Sequence, residues 1–137
     1  MKTKIMLFGT FDGIHKGHLN LFKQARKLAK EPFLVVLIAR DKNVFRIKKK
    51  KTIYIEKERM KLVKKCILVD KVILGSVDNY LVNILKEKPA IIALGYDQKV
   101  YVKELKKDLK NKKTDIKIVR LKSYKKNIYK NSLLSIS

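Results

Sequence analysis

Lys4-Ile5-Met6-Leu7-Phe8-Gly9-Thr10-Phe11-Asp12-Gly13-Ile14-His15-Lys16-Gly17-His18 is the stretch on which the reading of this chain turns. Lys4 to Phe8 reads as a buried strand that stops at Gly9. From Gly17 to about Lys30, Leu21, Phe22, Ala25, Leu28 and Ala29 recur at helical spacing. A strand that feeds a helix through such a turn brings unpaired amides and the positive end of a helix dipole to one point, a ready site for an anion. Glycines at 9, 13 and 17 are expected to permit positive φ and a close approach of backbone to ligand.

Outward from this turn, apolar runs alternate with amphipathic stretches. Phe33 to Ala39 reads as a second strand, continuous in hydrophobicity as expected where both faces are covered. A basic loop follows, then a helix from Glu56 to about Ile67 with Met60, Val63 and Ile67 on one side. Lys71 to Leu74 reads as a short strand ended by Gly75, and Asn79 to Glu87 as a helix with Pro89 just beyond it. Ala90 to Leu94 is a further strand, about Val100 to Asn111 a very basic helix, and Ile116 to Leu121 a last strand. This alternation predicts one α/β domain over residues 1–137, a Rossmann-like, doubly wound parallel sheet of about five strands with helices on both faces. Such sheets bind ligands beyond the carboxyl ends of their strands. Three of those ends carry glycine followed by polar residues: Gly9-Thr10-Phe11-Asp12, Gly75-Ser76 and Gly95-Tyr96-Asp97-Gln98.

Composition narrows the class further. The 137 residues include 35 Lys and Arg against 12 Asp and Glu, a net charge of +23, yet 46% are hydrophobic, which excludes a disordered polybasic tail. No apolar run approaches the roughly 20 residues of a membrane span, and the N-terminus lacks the long apolar region of a secretory signal. The single cysteine, Cys66, has no internal partner, in keeping with an expected reducing, cytoplasmic setting. The positive charge attracts polyanions at long range, although a lysine-rich surface is also simply a solvated one. A basic RNA-binding domain is the alternative from another class: between 42 and 65 there are eleven Lys and Arg against Glu56 and Glu58. No RNP-like aromatic strand, GXXG loop or zinc spacing accompanies them, so nucleic acid is expected only as a non-specific polyanion.

His15 and His18 are the only two histidines, and both flank a glycine at the strand-to-helix turn. Imidazoles placed there can donate hydrogen bonds to phosphoryl oxygens and steady charge that grows in a transition state. Two histidines three apart are also half of a metal site, but only Asp12 stands near as a third ligand, and no metal-ligating residues are assigned.

Gly9-Thr10-Phe11-Asp12 followed by His15-Lys16-Gly17-His18 resembles the HxGH nucleotidyltransferase superfamily, in its cytidylyltransferase-like branch. Further matches span about residues 4 to 132: Ala39-Arg40-Asp41, Glu58-Arg59, Val69-Asp70-Lys71, Ile73-Leu74-Gly75-Ser76, Leu94-Gly95-Tyr96-Asp97-Gln98 and Tyr124-Lys125-Lys126. The later ones are most similar to the archaeal type of FAD synthase, an FMN adenylyltransferase. That resemblance implies transfer of AMP from ATP to FMN with release of pyrophosphate, aided by a divalent ion, expected as Mg²⁺. The alternative within the branch is a cytidylyltransferase that joins CTP to glycerol 3-phosphate or a similar phosphorylated alcohol. Roles carry over by position. His15 and His18 would be catalytic; Thr10, Phe11, His15, Lys16, Gly17, His18, Asp97 and Tyr124 would bind the nucleotide; Lys48, Arg59 and Ser132 would bind phosphate. Two departures stand out: Lys49 occupies the place where the family's basic loop has glycine, and only Ser132 of Tyr129-Lys130-Asn131-Ser132 matches a hydroxyl pair near the end. The family is often dimeric, and the apolar stretch Ile53-Tyr54-Ile55 is a candidate contact for a homodimer.

Overall fold

Successive strand residues face opposite ways, and in the first strand Ile5 and Leu7 enter one core while Met6 and Phe8 enter another. The computed structural model of the chain describes residues 1–76, 80–96, 98 and 102–123. Its sheet consists of β1 (Thr3–Gly9), β2 (Pro32–Ile38), β3 (Lys71–Leu74), β4 (Ile91–Leu94) and β5 (Lys117–Arg120), in the order β3-β2-β1-β4-β5. Every pairing is parallel, with Ile5 opposite both Leu34 and Ile91. The helices are α1 (Lys16–Arg26), α2 (Asp41–Lys48), α3 (Glu56–Lys64), α4 (Leu81–Glu87) and α5 (Val102–Asn111).

One core joins Ile5, Leu7, Leu34, Val36 and Ile38 to Phe22 and Ala25 of α1 and Val63 of α3. The other joins Met6, Phe8, Val35, Leu37 and Ile92 to Ile84 of α4 and Leu105 and Leu109 of α5. Helices therefore cover both faces, as expected, and the uninterrupted hydrophobicity of Phe33 to Ala39 is explained: β2 is buried on both sides. The chain leaves β1 toward β2 on one side and returns through β4 on the other. That reversal opens a crevice at the carboxyl ends of β1 and β4.

The connection after β2 differs from the expected loop, because residues Asp41–Lys48 form α2. No apolar stripe announced it: only Asn43 and Val44 are buried, while Phe45 and Ile47 are half exposed. Tertiary contacts hold its start. The Asp41 amide donates to Glu56 Oε1 (2.9 Å), and the Glu56 amide donates back to Asp41 Oδ2 (3.1 Å), so the first residues of α2 and α3 cap each other. Asn43 Nδ2 also donates to Ser76 O at the exit of β3 (3.1 Å). The helix ends at Lys49, whose φ of +59° is left-handed. That conformation favours glycine at a helix end, so the departure noted in the sequence falls where a side chain is most strained.

Candidate active site

The turn between β1 and α1 is built by close approaches of rings to glycines. Of Gly9, Gly13 and Gly17, only Gly13 has positive φ, at +100°. Gly9 is needed for space, since a Cβ there would sit 2.5 Å from Phe11 Cε2. Gly17 serves the same purpose for a histidine: a Cβ would lie 2.8 Å from His15 Cε1. The freedom expected of these glycines is used as positive φ at Gly13 and as close approach, here to rings, at Gly9 and Gly17.

His15 is the N-cap of α1, and its Nδ1 accepts from the Gly17 amide (3.0 Å). His18, three residues on, returns the favour, its Nδ1 accepting from the His15 amide (3.3 Å). This is a capping box in which two imidazoles stand where Ser and Glu are usual. An imidazole that accepts at Nδ1 carries its proton on Nε2, so each ring holds an Nε2–H donor in addition to its capping bond. The rings stack with centroids 3.8 Å apart and 26° between their planes. Phe11, buried and at φ +52°, packs against His18, its ring 5.2 Å from that imidazole and 5.5 Å from Phe22. Burial, followed by the charge of His15, pushes the His18 pKa down to about 4. At neutral pH His18 is therefore an uncharged hydrogen-bond donor rather than a cation.

A second layer ties this turn to the segment after α2. Both oxygens of Asp12 are engaged, accepting from the amides of Ile53 (2.7 Å) and Tyr54 (2.8 Å). Lys48 Nζ lies 3.4 Å from Thr10 Oγ1, so the last turn of α2 reaches the end of β1. Arg59 departs from its expected place. Its side chain is 0% exposed, and its guanidinium donates to Thr10 O (2.7 Å), Tyr54 O (3.1 Å) and Asp41 Oδ1 (2.6 Å). A group enclosed in that way has no face left for phosphate, and Arg59 instead ties the end of β1 to α2 and to the segment between α2 and α3. Burial by itself raises the Asp41 carboxyl, but hydrogen bonds from Arg59 and the Glu56 amide, with the Arg59 charge, hold it below the usual carboxylate range.

Across the crevice, Gln98 bridges the two strand ends: its Oε1 accepts from the Gly95 amide (2.7 Å) and its Nε2 donates to Phe8 O (3.0 Å). Arg120 Nη1 in turn donates to Gly95 O (2.9 Å) and to Gln98 O. Asp97, Tyr124 and Ser132 lie outside the described residues. The structure thus brings Thr10, Phe11, His15, Lys16, Gly17, His18 and Lys48 to one place, with Arg59 beneath them. Asp12, Asp41 and Gln98 hold this arrangement in position. All three fall in strand-end stretches that the sequence marked, Gly9-Thr10-Phe11-Asp12, Ala39-Arg40-Asp41 and Gly95-Tyr96-Asp97-Gln98, but residue order assigned none of them this positioning role.

A five-stranded parallel sheet with an imidazole pair at the first helix N-terminus defines a nucleotide-handling α/β protein. The chain belongs to the cytidylyltransferase-like family, whose model matches residues 6–134. A protein named FAD synthase from Methanothermus fervidus is 46% identical over 123 residues, which cover 89% of this chain and 84% of that one. The FAD synthase of Thermoplasma acidophilum is 37% identical over 131 residues, covering 96% and 90%. Among solved structures, the lipopolysaccharide core biosynthesis protein of Thermoplasma volcanium superposes with a TM-score of 0.81 at 36% identity, covering 89% of this chain and 98% of that one. The chain is a nucleotidyltransferase.

Proposed function

We propose that the chain transfers the adenylyl group of ATP to the phosphate of FMN, giving FAD and pyrophosphate. The observation that carries the chemistry is the reciprocal histidine cap, which fixes two Nε2–H donors at a helix N-terminus. The choice of FMN rests on relatives named FAD synthase at 37–46% identity. A phosphate oxygen of FMN attacks the α-phosphorus of ATP as the bond from that phosphorus to the bridging oxygen breaks. Pyrophosphate leaves opposite, and no enzyme group is covalently modified. His15 and His18 donate to the α-phosphate and the bridging oxygen, where negative charge grows, Lys16 holds the departing pyrophosphate, and Lys48, beside Thr10, binds phosphate on the acceptor side. Asp97, Tyr124 and Ser132 keep their inferred nucleotide and phosphate roles in this scheme.

The neutrality of His18 suits such a role, because donors that need not reorganise stabilise developing charge best. A divalent ion, expected as Mg²⁺, does not find a protein cage among the described residues. They contain no cluster of three His, Cys, Asp or Glu that could hold one. Asp12 and Asp41 are spent on amides and on Arg59. Mg²⁺ keeps its waters and prefers phosphate oxygens, so it enters here as the companion of ATP. No helix among the described residues is long and apolar enough to cross a membrane, and we place the reaction in the cytoplasm.

The test supplies ATP with FMN in one reaction and CTP with glycerol 3-phosphate in another, and measures pyrophosphate and FAD. FAD formation in the first is the expected result. Pyrophosphate only from the second would replace this reading with the phospho-alcohol cytidylyltransferase.

A further inference from the structure

A cavity of about 390 Å³ lies beside α2, lined by Asp41, Lys42 and Phe45 from one face of that helix and by Lys51, Thr52 and Ile55 from the segment after it. We propose that it seats the planar ring system of the acceptor, so that the flavin enters between α2 and the 49–55 segment and its phosphate emerges at Lys48. This rests on the FMN reading above and adds the place and chemistry of its second substrate.

Three observations support that occupant over others. The first is position. In-line displacement requires the acceptor to approach the α-phosphorus opposite the leaving group. The crevice at the β1–β4 switch point is the nucleotide side of the turn. The other neighbour of β1 is β2, and the chain leaves β2 directly into α2.

The second is continuity with the phosphate turn. Lys48 sits one helical turn beyond Phe45 on α2, and its Nζ is 3.4 Å from Thr10 Oγ1. The cavity wall opposite α2 is anchored to the same turn. Asp12 binds the Ile53 and Tyr54 amides, and a methyl at Gly13 would lie only 3.7 Å from the Tyr54 ring. A ligand lying along this face of α2 thus ends beside Thr10.

The third is chemistry. Phe45 and Ile55 are 51% and 55% exposed, flat and aliphatic surfaces suited to an aromatic heterocycle. Lys42 and Lys51 add donors for the carbonyl oxygens of such a ring, and Asp41 and Thr52 complete the lining. The volume falls within the range of small-molecule sites.

The test is steady-state kinetics on Phe45→Ala and Ile55→Ala, with melting temperature and sedimentation measured alongside. The expected result is a KM for FMN raised roughly tenfold in each variant, the loss that follows from removing one stacking or packing surface. The KM for ATP and the melting temperature stay near those of the parent. Riboflavin, which has the ring but no phosphate, inhibits the parent and loses potency in Phe45→Ala. If the parent makes FAD and both variants keep its KM for FMN, the cavity assignment is overturned while the activity stands. If that unchanged KM comes with a dimer that falls apart, the cavity is a contact between copies of this chain. If the parent makes no FAD at all, the activity and the cavity assignment fall together.

Discussion

Replacing Arg59 with methionine separates a positioning role from a phosphate-binding one. The buried guanidinium donates to Asp41 Oδ1, Thr10 O and Tyr54 O. Methionine keeps most of the volume and removes every donor. Breaking a buried ion pair from one side costs about 3–5 kcal/mol. The Asp41 side chain is 39% exposed and keeps the Glu56 amide and the Thr52 hydroxyl, which places the loss near the lower end, about 3 kcal/mol. In a domain of this size each kcal/mol moves the melting temperature by about 3–4 °C, so Arg59→Met melts about 10 °C lower. Turnover falls as well, by about 10²-fold, because the Thr10 carbonyl leads straight into the histidine turn and a shift of about 1 Å there misaligns both donors. Adding Asp41→Asn removes the stranded charge, and the double variant loses about 1–3 kcal/mol less than the sum of the singles. Thermal and urea unfolding of the four proteins, with kinetics at varied ATP, checks this. Arg59→Met melting within about 2 °C of the parent, with ATP affinity alone lost, would mean that the guanidinium touches the ligand, and the positioning argument would be wrong.

Three further outcomes follow from single positions. Lys49→Gly relieves a left-handed lysine at the end of α2 and raises stability by about 1 kcal/mol, read as a higher urea midpoint at unchanged slope. Gly17→Ala puts a methyl against His15 Cε1, and adenylyl transfer falls about 10²-fold. Its melting temperature barely moves, since better helix propensity offsets the weakened cap. The His18 pKa, lowered to about 4 in the folded state, makes the unfolded chain bind the extra proton between its ordinary value, about 6.5, and that lower one. Stability from this group is therefore complete above the unfolded pKa and is lost as pH falls through the window. His18→Gln keeps a capping acceptor but cannot titrate, so its urea midpoint falls less than the parent's between about pH 7 and pH 5. Equal falls would refute the assignment.

The order of strands and helices was legible because it depends on runs and periods that survive in one dimension. Lys4 to Phe8 announced a buried strand and Phe33 to Ala39 one covered on both faces, and Leu21, Phe22, Ala25 and Leu28 announced α1. The helix α2 was not legible. Its capping partner, Glu56, is fifteen residues away, and its one buried apolar residue, Val44, makes no stripe. Arg59 was misplaced for a related reason: a cation in a cation-rich segment carries no mark of burial, which comes only from Asp41, Thr10 and Tyr54 closing around it.

The sequence by itself determined the chemistry, since HKGH at the mouth of a strand holds both its donors and its helix start within one local turn, where spacing alone brings them together. Only the tertiary structure decided which glycines make room for rings, which tautomer the imidazoles adopt and which charged groups face inward. Those depend on groups packed around each side chain and on the water that packing removes, and residue order alone does not record either.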